Sequence, residues 1–99
     1  MYLGIHCSVR NGYLAAVEEA RGLGLRAMQM LPFRRHHPPV EADFAGFRRA
    51  RRAAGVERLL VHSRYLPALA TDDTPRRGNT VAHLVRELAM ARALEADAY

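Results

Sequence analysis

The chain alternates short apolar runs with longer amphipathic stretches, and the breaks between them fall at glycine and proline. Tyr2 to His6 is apolar and runs into a Ser/Arg/Asn/Gly loop, which predicts a buried strand ending at a turn. From 12 to 22, Leu14, Val17 and Ala20 recur on one helical face, with Asn11 placed to cap and Gly22 and Gly24 to stop it. A second strand is expected over 26–31, halted by Pro32, which has no amide hydrogen to give a ladder. The stretch from Phe33 to Val40 reads as a loop. Helix two follows over 41–54, with Phe44, Phe47, Ala50 and Ala54 on one stripe and Glu41 and Asp43 at the positive end of its dipole. A third strand is expected over 57–62. A long loop from Ser63 to Gly78 then leads to a helix over 80–95, capped by Asn79 or Thr80 and burying Val81, Leu84, Val85, Leu88 and Ala91. Residues 96–99 look like the approach to a fourth strand.

Three strand-and-helix repeats with near-continuous apolar strands predict an α/β fold with parallel strands covered by helices, since strands exposed on one face would alternate with polar residues. Two architectures satisfy that: a doubly wound sheet and a (β/α)8 barrel. A dinucleotide-binding sheet calls for Gly-x-Gly-x-x-Gly after the first strand, and the loop here reads His6-Cys7-Ser8-Val9-Arg10-Asn11-Gly12. The barrel is therefore favoured, with residues 1–99 as the amino-terminal portion of a single barrel domain.

Composition changes this picture little. The 99 residues and 49% hydrophobic content suit one globular piece. With no apolar run near the roughly 18 residues of a membrane span and no signal-like leader, a cytoplasmic protein without membrane association is expected. The net charge of +5 invites a nucleic-acid reading, yet all fifteen basic residues are arginine, a bias that coding preference produces equally well. Arg48, Arg49, Arg51 and Arg52 share one helical segment and are expected on its solvated outer face. The single cysteine, Cys7, rules out an internal disulfide or a cysteine zinc knuckle and is expected to be a small packed hydrophobe.

Candidate chemistry lies at the strand ends. His6 and His62 close strands one and three at their carboxyl ends, where barrel enzymes place active sites. The opening Leu3-Gly4-Ile5-His6-Cys7-Ser8 with Gly12, the strand Ala27-Met28-Gln29-Met30, the run Leu60-Val61-His62-Ser63-Arg64-Tyr65-Leu66 and the closing Leu94-Glu95-Ala96-Asp97 resemble, in order and spacing, the amino-terminal part of the endonuclease IV proteins (AP endonuclease family 2), barrels of the xylose-isomerase-like superfamily. The likeness runs along essentially the whole chain, and His-x-x-Tyr-Leu is its most specific element.

The resemblance implies a zinc-dependent enzyme that hydrolyses phosphodiester bonds of double-stranded DNA at abasic sites. It implies that His62 is a zinc ligand in a site of up to three ions, that His6 lies at the floor of the same pocket, and that Tyr65 and Leu66 enter the DNA minor groove as a wedge. No catalytic acid or base of this chain is assigned. Where the family usually has an Asn-Pro-Arg-like segment after strand two, this chain has Pro32-Phe33-Arg34-Arg35-His36-His37-Pro38-Pro39, so either Arg34 or Arg35 stands in as the DNA contact. The remaining zinc ligands come from later strands of the family's barrel, so the rest of the barrel is needed. The three units alone are expected to leave open strand edges and to be inactive. Two other functions compete. One is a sugar or sugar-phosphate isomerase or epimerase on the same barrel; the other is a non-enzymatic basic module that binds nucleic acid through its arginines.

Overall fold

A computed structural model describes residues 1–64 and 69–99. Six elements follow one another as β1 (Gly4–His6), α1 (Tyr13–Gly22), β2 (Ala27–Met30), α2 (Glu41–Ala53), β3 (Arg58–Val61) and α3 (Thr74–Ala93). The strands form one parallel sheet in the order β1-β2-β3, with Ile5, Met28 and Leu59 in register and His6, Gln29 and Leu60 one step along. At the foot of the sheet Gly4 faces Ala27 so closely that a Cβ would lie 2.5 Å from the Ala27 carbonyl oxygen, so only glycine lets these two strands meet. Beyond β3 the ladder continues. The Asp97 amide donates to the Leu59 carbonyl and the Val61 amide to the Ala98 carbonyl, both at 2.9 Å, and Ala98 pairs in parallel with Leu60.

The core lies between the sheet and its helices. Met28, Met30, Leu59 and Val61 point to that side and pack with Tyr13, Ala16, Val17 and Ala20 of α1, Phe47 of α2, and Ala91 and Leu94 at the end of α3. The other face, which carries His6, Gln29, Arg58 and Leu60, is open. Burial in β2 and β3 therefore alternates, where the sequence suggests strands covered on both sides.

The helices depart from expectation in three respects. In α1 the residue before Tyr13 is Gly12 at φ 97°, with no side-chain cap from Asn11, and Leu14 is exposed while Tyr13 and Ala16 join Val17 and Ala20 in the core. α3 starts six residues before the expected boundary. Asp73 accepts a hydrogen bond from the Arg76 amide at 3.1 Å, and Pro75 sits in the first turn, where its missing amide hydrogen is no loss. The α3 face is also rotated: Val81, Val85 and Leu88 are exposed, and the residues facing inward are Glu87, Ala91 and Leu94. A glutamate within the stripe hides this from the sequence.

The arginines of α2 do not all face solvent. Arg51 is only 11% exposed and donates to the carbonyls of Val56, Glu57 and Glu95 and to the Asp97 carboxylate. Arg48 donates to the Ala93 carbonyl at 2.7 Å. Both thus tie α2 to the end of α3 and the segment that leads to the Ala98 bridge, while Arg49 and Arg52 are exposed as expected. At the entry to α2, the Asp43 carboxylate accepts from the Val40 amide at 2.8 Å.

Candidate functional site at the carboxyl ends of the strands

His6 ends β1, and His62 follows β3 directly; both rings are exposed, and their centroids stand 6.3 Å apart at right angles. Parallel pairing brings them together, since it puts the carboxyl ends of all strands at one rim. The hydrogen bonds each ring makes determine what it can offer. His62 Nδ1 lies 2.7 Å from the Ser63 carbonyl oxygen, an acceptor only, so Nδ1 carries the proton and Nε2 presents a lone pair. His6 Nδ1 lies 3.1 Å from Gln29 Nε2, an amide donor, so in this arrangement Nδ1 is the acceptor. The two rings thus meet partners of opposite hydrogen-bonding character. Gln29, absent from the sequence-based candidates, fixes this second ring. A polar side chain on the open face of an otherwise apolar strand is the signal for it. An open groove of about 420 Å³ runs below the pair, over Gly4, Ala27, Gln29, Arg58 and Leu60.

Arg34 and Arg35 lie on the loop between β2 and α2. Arg34 and His37 close a tight antiparallel turn in which His36 has φ 62°, a left-handed conformation that histidine tolerates better than bulky residues do. Arg34 and Arg35 are both exposed. Arg34 and His37 border a cavity of about 360 Å³ that reaches Asn11, Tyr13 and Asp43, so the structure groups Arg34 with the first β–α loop and not with the histidine pair. Beneath it the Tyr13 hydroxyl donates to the buried Pro32 carbonyl. Burial first, and the Asp43 charge second, push the Tyr13 phenol well above its ordinary value. Tyr65 and Leu66 lie outside the described residues.

Arg64, also absent from the sequence-based candidates, places its guanidinium 5.2 Å from the Phe33 ring centroid and so joins the β2–α2 loop to the β3–α3 loop. Cys7 is fully buried; burial, reinforced by Glu19, raises its thiol above the ordinary range, the reverse of an activated nucleophile. Among the described residues no three His, Cys, Asp or Glu side chains converge as a metal site. No described helix is long and apolar enough to cross a membrane.

Neither a family model nor a curated protein matches the chain. Solved structures do. Endonuclease IV from Thermus thermophilus superposes with a TM-score of 0.84 at 30% identity, over 98% of this chain and 38% of that one. D-psicose 3-epimerase, in a structure determined in the presence of D-fructose, superposes with a TM-score of 0.78 at 20% identity, over 97% and 35%, a likeness of fold. The chain thus spans little more than a third of either enzyme and matches their opening strands. Its fold is that of the first three β/α units of a TIM barrel of the xylose-isomerase-like superfamily.

Proposed function

We propose that this chain forms the start of an endonuclease IV-like barrel that hydrolyses the backbone of double-stranded DNA at abasic sites. The observation that carries the reading is the paired imidazoles at the rim, with His62 Nε2 left open for a metal while its Nδ1–H is held by a backbone carbonyl. The motif His62-Ser63-Arg64-Tyr65-Leu66 and the 30% identity to an endonuclease IV support the same choice over the epimerase, which shares 20%. In this reading His62 supplies one zinc ligand and the later strands of the barrel supply the others. Bound zinc would act as a Lewis acid toward the scissile phosphate. His6 donates from Nε2 at the pocket floor, Tyr65 and Leu66 meet the DNA at the lesion, and Arg34 or Arg35 contacts its phosphates.

The test is His62→Ala in the protein that carries this chain, with bound zinc and incision of an abasic duplex both measured. Zinc content should fall and incision should drop by about 100-fold or more, the scale of losing a ligand or its fixed orientation. Normal zinc with normal incision would overturn the assignment. A second reading, a sugar or sugar-phosphate isomerase or epimerase, is favoured by one observation, the Arg34–His37 turn where the family usually has its Asn-Pro-Arg-like segment. Interconversion of a ketose by the wild-type protein, with no action on abasic DNA, would establish it.

A further inference from the structure

Glu87 is the one buried charged residue among those described. It is 1% exposed, on the inward stripe of α3 one turn before Ala91. Its Oε1 accepts from the Arg64 amide at 3.0 Å and from the Tyr99 hydroxyl at 2.8 Å. Its Oε2 is buried without a hydrogen-bond partner. Such an oxygen is costly, because the water it has lost is not replaced. An apolar side chain of similar volume would pack here at lower cost. The carboxylate's position suggests what it does instead. It joins α3, the first residues of the β3–α3 loop and the segment after the Ala98 bridge. The Arg64 backbone it holds also carries the guanidinium that stacks on Phe33, so the same clamp reaches the loop bearing Arg34 and Arg35.

We infer that Glu87 is a positioning residue: it fixes the backbone of Arg64 and, through the Arg64 guanidinium on Phe33, sets how the β2–α2 loop is held against the end of β3 at the rim. This inference rests on the endonuclease reading only for the identity of the substrate that the loops meet.

Glu87→Met tests it, since methionine fills the space but accepts no such hydrogen bond, and Glu87→Gln restores an acceptor. Amide hydrogen exchange in the protein that carries this chain should show Arg64 losing protection roughly tenfold in Glu87→Met, the scale of one hydrogen bond to a charged group, while Leu59 in the sheet is unchanged. Glu87→Gln should keep Arg64 within about twofold of wild type, because a neutral acceptor retains most of a bond of this size. Unaltered Arg64 exchange in Glu87→Met, or equal acceleration at Arg64 and Leu59, would overturn the inference. KM and kcat on an abasic duplex separate the two levels. A raised KM with zinc content unchanged supports both, whereas a selective Arg64 effect in a protein whose wild type does not incise an abasic duplex upholds the clamp while overturning the endonuclease reading.

Discussion

Replacing Arg51 by methionine keeps the aliphatic stem against α2 and removes the guanidinium, so it isolates what the polar head does. That head makes four hydrogen bonds: Nε to the Val56 carbonyl at 3.1 Å, Nη1 to the Glu95 carbonyl at 2.7 Å, and Nη2 to the Glu57 carbonyl at 3.0 Å and the Asp97 carboxylate at 3.1 Å. The Val56 contact is partly buried and the other three are exposed, so water replaces much of what those three provide. At about 1 kcal/mol for the partly buried bond and roughly 0.5 kcal/mol for each exposed one, the loss is about 2 to 3 kcal/mol. Urea unfolding of the protein that carries this chain measures it. Arg51→Lys keeps the charge but not the planar fork, and should recover less than half of the loss. A methionine variant within about 0.5 kcal/mol of wild type, the usual range for a surface substitution, would refute the reasoning. So would a lysine variant that matches wild type.

Two further predictions concern the frame of the site. Tyr13 is a group whose proton is bound more tightly in the folded state, so its contribution is whole below the unfolded phenol's pKa of about 10 and is lost as pH rises beyond it. Tyr13→Phe should flatten that alkaline limb in a urea titration and lower neutral stability by about 1 to 2 kcal/mol by stranding the buried Pro32 carbonyl; an unchanged limb would exclude Tyr13 as its source. Glu95 has φ 56° just past the end of α3, a conformation natural to glycine, so Glu95→Gly should raise stability by about 0.5 to 1 kcal/mol, and a loss would show that its 3.9 Å approach to Arg48 matters more than the backbone.

The order of elements is legible because each strand is a short apolar run closed by glycine, proline or a polar loop, and these local signals agree with the global arrangement. Position along α3 is less legible. Pro75 reads as a loop residue until the cap at Asp73 is seen, and Glu87 breaks the apolar period that would have located the inward face. The long reach of arginine explains why Arg48 and Arg51 are not on the solvated face, since their partners lie over 40 residues away in Ala93 and Glu95. At the rim, the positions of His6 and His62 follow from the strand ends alone. Their different hydrogen-bond partners do not, since these are Gln29, 23 positions from His6, and a carbonyl that has no side-chain signature.

The rim divides into parts of unequal permanence. His6 and Gln29 stand on strands whose register is locked by the close approach of Gly4 to Ala27, with His62 directly beside the next strand, and a one-residue slip would turn Gln29 away from its imidazole. The turn from Arg34 to His37 closes on itself, so residues gained or lost there leave the strands in place. Evolution can therefore exchange the loop and keep the imidazoles, and a frame of this kind can pass from one class of substrate to another without rebuilding its centre.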